Sequence, residues 1–233
     1  MSARRAARRY GIVCLTAAVA LLAVVAGCKG DGGGEPEDAR DLLKQIALTL
    51  GDLPSPFTQT DQNFSTNEQV ARGEEDIEGQ LANLQRWGRL LGYDVTFEPQ
   101  SSSNPQPIVA IRSTVSLYET AEGASQSFAY AVQAARDRDW APSHTGFQNL
   151  QVQEIQRPGI ADEIVWLRIS GTTGEGADVD YLADDYVLIR EDRARALVRV
   201  ASRSASAAQS LFMLEQAADL AGIVVERVRT ALG

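Results

Sequence analysis

Cysteine and histidine are almost missing from this chain. Its 233 residues hold two cysteines, Cys14 and Cys28, and one histidine, His144. Both cysteines lie in the first 28 residues, so the rest of the chain has no disulfide and must be stabilised by a hydrophobic core. A zinc site built from His and Cys lacks its ligands outright, and no other metal or cofactor signature is present. Basic charge is short as well: 22 Lys and Arg stand against 31 Asp and Glu, a net charge of −9. A nucleic-acid surface needs a basic footprint, and a peripheral membrane surface needs a polybasic patch. This composition excludes both and favours solubility. Past residue 26 there is no second long apolar run, and no repeat with a period of about 20 to 50 residues is evident.

What is present begins with export. Arg4, Arg5, Arg8 and Arg9 precede any acidic residue, and Ile12 to Ala26 is apolar apart from Thr16. A charged n-region followed by an apolar h-region is the layout of a secretory signal peptide. The apolar stretch of roughly 15 residues falls short of the ~20 that a bilayer-spanning helix needs. The arginines stay on the cytoplasmic side, so the chain beyond them is exported. The pair in "ARRYGIV" lacks the remaining features of a twin-arginine signal and reads as ordinary n-region charge.

The segment closes on Val25-Ala26-Gly27-Cys28: an aliphatic residue, two small residues, then cysteine. With this box the first 28 residues resemble the precursors of bacterial lipoproteins. The resemblance implies that the Cys28 thiol receives diacylglycerol, that residues 1–27 are removed, and that Cys28 becomes the mature N-terminus. Two acyl chains hold a protein stably on a membrane where one binds reversibly. In double-membraned bacteria the family's sorting rule lets Lys29 pass to the outer membrane, whereas Asp there retains a protein at the inner one. An uncleaved anchor and ordinary secretion are the alternatives. Losing residues 1–27 takes four of the 22 basic residues and none of the 31 acidic ones, so the mature chain carries a net charge near −13. Residues 28–38 comprise the lipidated cysteine and a Gly-rich leash, "KGDGGGEPED", whose ten residues reach about 35 Å when extended.

Residues 39–233 read as one domain. Leu42, Leu43, Ile46 and Leu50 mark a helix over 39–50, ended by Gly51, Pro54 and Pro56. "DLPSPFTQTDQNF" reads as loop, and Ser65-x-x-Glu68 has the form of a capping box opening a helix to about Leu91. Gly73 and Gly79 weaken the first half of that helix, and Gly92 stands at the expected C-cap. "YDVTFE" alternates as a strand and Ile108–Tyr118 is its hairpin partner. A helix follows over 119–138, then strands near 148–156, 162–170, 180–190 and 194–202, and a helix over 206–232. "IVWLRI" and "YVLI" are apolar on both faces and read as central strands. Short turns between neighbouring strands favour antiparallel pairing. The fold class predicted is α+β: a single domain with a mainly antiparallel sheet of about six strands and helices packed on one face.

Catalytic signatures are sparse. His144 in "WAPSHTGF" has no nucleophile motif beside it and reads as a loop residue without a role. The Gly-rich "ISGTTGEGADVDY" joins two strands and holds no Lys, so it reads as a hairpin loop and not a phosphate cradle. Asp178, Asp180, Asp184 and Asp185 lack calcium-loop spacing and read as a solvated loop and strand end. Arginine is the suggestive residue. Arg193, Arg195 and Arg199 share one face of the last strand, with Ala194, Ala196, Val198 and Val200 on the other, and Arg168 sits among apolar residues. Guanidinium suits bidentate binding of carboxylate or phosphate, which makes Arg168, Arg195 and Arg199 the candidate ligand-binding residues. A solvated face paired with the chain's many acids is the plainer alternative. The function expected is a lipid-anchored extracytoplasmic binding or sensor-like protein. Its partners would be the membrane through Cys28 and an envelope protein or small anionic ligand. A hydrolase acting on envelope material through a carboxylate acid/base pair is the alternative, and a purely structural envelope role is a third.

Overall fold

A computed structural model of the chain describes residues 36–54, 56–100, 107–174 and 179–233. The export segment, Cys28, the leash up to Glu35 and Asp178 lie outside the described residues. The first helix, α1 (Pro36–Ile46), is followed by β1 (Phe57–Ser65), α2 (Asn67–Ala71), α3 (Ile77–Arg86), β2 (Arg89–Pro99) and β3 (Ile108–Tyr118). Then come α4 (Ala121–Asp137), β4 (Gln148–Ile155), β5 (Glu163–Thr173), β6 (Asp180–Glu191), β7 (Ala194–Ser204) and α5 (Ala207–Leu232).

The strands form one seven-stranded sheet in the order β1-β2-β3-β7-β6-β5-β4, and every neighbouring pair is antiparallel. It is two meanders joined through the β3–β7 pair. Helix α4 carries the chain from β3 to β4 at the far edge. The α+β class and the antiparallel pairing are as the sequence predicts, with one strand more.

That strand is β1, read from sequence as loop. Six consecutive exposed residues, Thr58 to Asn63, hide any alternation. Pairing with β2 makes it an edge strand, with a register shift between Gln59 and Asp61. The helix expected over 65–91 is two short helices broken at Arg72–Asp76, where Gly73 and the second cap, Asp76, fall. The capping box lies one residue later than predicted: Gln69 N–H donates to Thr66 Oγ1, and Thr66 N–H donates to Gln69 Oε1. Ser65 is engaged elsewhere, because its Oγ and carbonyl accept from the buried Arg89. The glycine that turns the chain after α3 is Gly88, at φ +64°, whereas Gly92 lies inside β2. A side chain at Gly92 would meet the Arg89 guanidinium.

Helices cover both faces of the sheet, where one was expected. On one face α1 and α5 bury the main core: Leu43, Ile46, Met213, Ala217, Val224 and Val228 pack with Trp166, Val187, Ile189, Val198 and Val200. On the other, Phe128 and Val132 of α4 pack against Leu188, with Tyr186 and Leu197 beside them. Trp140 closes on Leu167 and Ile169 on this same side. The reason is visible along β6, where Val187 and Ile189 point to α5 and Leu188 points to α4. A strand that is apolar on both faces needs cover on both.

Candidate functional site

Strand β5 sets the candidate site. Trp166 and Arg168 alternate with Leu167 and Ile169, so Trp166 and Arg168 turn to the α5 face and Leu167 and Ile169 to the α4 face. Arg168 lies at the base of a cleft of about 480 Å³ between the β4–β5 edge and the first turns of α5. Edge strand β4 contributes Gln151 and Gln153, and α5 contributes Ser210, Leu211 and Leu214. Among the described residues that line this cleft none is acidic, and Arg168 is the one charged side chain.

The Arg168 side chain is 7% exposed. Its Nη2 donates to the carbonyl and the hydroxyl of Ser210, both at 2.7 Å, which pins the start of α5 to the sheet. Its Nη1 stands 3.4 Å from Asp185 Oδ2, directly across the β5–β6 pairing. That contact is an ion pair without hydrogen-bond geometry, and each of the two atoms is buried without a hydrogen-bond partner. Asp185 Oδ1 accepts from Trp166 Nε1 at 2.9 Å. Burial pushes the Asp185 carboxyl up to about 6, against the opposing pull of Arg168 and the Trp166 hydrogen bond and with a smaller push from Asp184.

Arg195 and Arg199 are on the opposite face. Arg199 grips Asp184 through Nε at 2.8 Å and Nη2 at 2.6 Å and lies 5.1 Å from the Tyr186 ring centre. Tyr186 O–H donates to the same carboxylate, and burial first, then the Asp184 charge, pushes this phenol up to about 12. Arg195 donates to the Ser127 carbonyl and hydroxyl. The structure therefore does not bring the three arginines together: Arg168 faces a cleft, whereas Arg195 and Arg199 are occupied by partners inside the fold.

Two acids read as solvated are buried. Asp184 and Asp185 sit in the middle of β6, 3% and 0% exposed, and face opposite sides of the sheet. Asp180, at the start of β6, pairs with Arg203. The signal that could have found the buried pair is "LADDYVLI", where acids sit inside an apolar strand. Among the described residues no group of three or more His, Cys, Asp or Glu is placed to hold a metal. His144 also has a role. It is buried, with Nε2 3.2 Å from Asp184 Oδ2 and Nδ1 2.9 Å from the Trp140 carbonyl. Ser143 Oγ lies 3.1 Å from the same Nδ1. Ser143 Oγ donates to the same Trp140 carbonyl at 3.1 Å, so its proton is directed away from the ring. The trio ties the loop after α4 to β6. A second cleft, of about 820 Å³, runs under α4 beside Trp140, Tyr186 and Leu188.

Fold and site together define a class: a seven-stranded antiparallel α+β domain with a cleft at the β4–β5 edge whose described lining includes Arg168 and no acid. No protein-family model matches the chain, and no curated protein matches it. Among solved structures it is similar to the extracellular domain of PknH from Mycobacterium tuberculosis, with a TM-score of 0.49 and 10% identity, over 82% of this chain and 96% of that one. At this level the likeness carries no argument about ligand or function.

Proposed function

We propose that this protein is a lipid-anchored extracytoplasmic binding protein that holds a small ligand in the Arg168 cleft. The observation that carries the reading is the cleft's charge: in a strongly acidic chain, its described lining residues include one arginine and no acid. Anchoring is supported by the n-region, the apolar segment and Val25-Ala26-Gly27-Cys28. No described helix is long and apolar enough to cross a membrane. The hydrolase alternative draws no support from this cleft. A general acid/base pair needs two carboxyl groups flanking one site, and Asp184 and Asp185 face opposite sides of the sheet.

Two measurements test the reading. Full-length protein isolated from its own envelope and examined by native mass spectrometry should carry a small-molecule adduct, which Arg168→Met removes. A Cys28→Ser variant should remain uncleaved and unlipidated. No adduct would dispose of ligand holding, and a Cys28→Ser protein processed and membrane-bound as before would dispose of the lipid anchor.

A further inference from the structure

We propose a second binding site, on the face of the sheet opposite the Arg168 cleft. In it Arg195 holds the carboxylate or phosphate of a small organic anion, whose apolar body lies in the cleft under α4. The first observation is a buried cation without a counter-charge. Arg89 is 5% exposed, and an arginine so buried is ordinarily paired with an acid. Its guanidinium donates only to neutral oxygens: Nε to Ser116 Oγ, Nη1 to the Ser65 carbonyl and Asn67 Oδ1, and Nη2 to Ser65 Oγ. Ser116 is also the register partner of Arg195, so two guanidinium groups flank one serine. Burial lowers the Arg89 pKa to about 10, Tyr118 opposes this, and the Arg195 charge lowers it further.

The second observation is an unused fork. Arg136, Arg199 and Arg229 each turn the Nε–Nη2 edge to a carboxylate, that of Glu154, Asp184 and Glu191 respectively. Arg195 spends only Nη1, on the Ser127 carbonyl and hydroxyl. Among the described residues nothing accepts from its Nε or Nη2, and neither atom is sealed from solvent. Two parallel N–H groups on one edge match one carboxylate or phosphate bidentately. The next residue along this row of the sheet, Arg190, already holds Asp162 and Glu163. The ends of β3 and β6 next to residues 101–106 and 175–178 are the far ends of those strands from Ser116 and Arg190.

The apolar body follows from what adjoins the fork. Leu197 comes two residues after Arg195 on the same face of β7, and Ala131 comes one turn after Ser127 on α4. Both line the cleft of about 820 Å³, together with Tyr186 and Leu188 of the sheet and Ala134 of the helix. Small side chains on the helix leave this room beside an apolar floor, and the volume lies within the range of small-molecule sites. Two acids, Glu75 and Asp137, also line the cleft, and both are exposed, where water and salt screen their charge.

Isothermal titration with 1-naphthoate and 1-naphthyl phosphate tests the assignment, using the full-length protein in phosphatidylcholine nanodiscs with empty nanodiscs as the blank. At least one anion should bind about tenfold or more tighter than the uncharged 1-naphthalenemethanol, and the tighter of the two names the head group. Arg195→Lys keeps the charge but removes the fork, and should weaken that anion about tenfold. Arg136→Gln removes an equal charge from an exposed pair on α4 and should change affinity less than about twofold. Ala134 is exposed in the cleft wall, so Ala134→Glu should weaken the anion about threefold or more and Ala134→Lys should strengthen it. These two variants keep the test sharp even if Arg195→Lys fails to fold. Binding of the alcohol equal to that of both anions, unchanged affinity in Arg195→Lys, or indifference to the charge at position 134 would each overturn the assignment. An adduct lost with Arg168→Met reports on the other cleft, so the two sites stand or fall separately.

Discussion

Arg168 Nη1 and Asp185 Oδ2 face each other at 3.4 Å across the β5–β6 pair, buried and without a hydrogen bond between them. One end of the guanidinium holds α5 through Ser210. The other end faces the Asp185 carboxylate, whose pKa burial raises to about 6. Sheet, helix and cleft thus meet at one side chain.

The first prediction is a pH dependence of stability. Asp185 is raised in the folded state from 3.8 to about 6. Between those values the folded chain binds a proton that the unfolded chain has released, so the stability due to Asp185 falls as pH rises through this window. The charges that act on it are Arg168, which faces it across the strand pair, and Asp184, which acts from the other face of the sheet. Compared with Asp185→Asn, the wild type should gain on the order of 2 kcal/mol as pH falls from about 6 to about 4. Urea denaturation at a series of pH values measures it, and a constant difference between the two proteins would contradict it.

The second concerns the cleft. Protonating Asp185 removes the negative charge that faces Arg168, so an anionic ligand in the cleft should bind more tightly as pH falls through about 6. Asp185→Asn should show the tighter affinity already at neutral pH. Affinity that does not change over this range would separate Asp185 from ligand binding.

The third concerns the opposite face. Asp184 accepts from Arg199 and Tyr186 and lies beside His144, in a site 3% exposed. Asp184→Ala leaves the Tyr186 hydroxyl and His144 Nε2 without their buried partner, while Arg199, 38% exposed, can turn to solvent, so it should cost about 1–3 kcal/mol. Glu154→Ala, which breaks the exposed pair with Arg136, should cost less than about 1 kcal/mol. Chemical denaturation of both variants checks the contrast, and similar losses would refute it.

The fourth separates two glycines. A Cβ at Gly123, in the first turn of α4, would collide with the Trp87 carbonyl, so Gly123→Ala should cost about 1–3 kcal/mol. Gly222 lies inside α5, where an added Cβ meets nothing within 4 Å. Gly222→Ala should therefore stabilise by about 0.5–1 kcal/mol. Thermal melts of the two variants should move in opposite directions.

Local pattern carried most of the elements. The alternation of Arg195 and Arg199 with Ala196, Val198 and Val200 put β7 in the sheet with the correct face inward. The tight turn after β6 is confirmed at Asp192, with φ +47°. Strand β1 escaped because its residues are polar and exposed, and only pairing with β2 makes it a strand. Gly92 was misread because its reason, the room taken by Arg89 and Ser65, lies in side-chain packing and not in chain direction.

By itself, then, the sequence determined what depends on near neighbours: strand periodicity and the long helix α5. The tertiary structure alone decided strand order, which places β7 between β3 and β6, and the facing of each arginine. Arg168 and Arg199 fell on opposite sides, and His144 met an aspartate 40 residues away. Such pairings come from sheet register and two-sided burial, which act between residues far apart in the chain and leave no mark on local spacing.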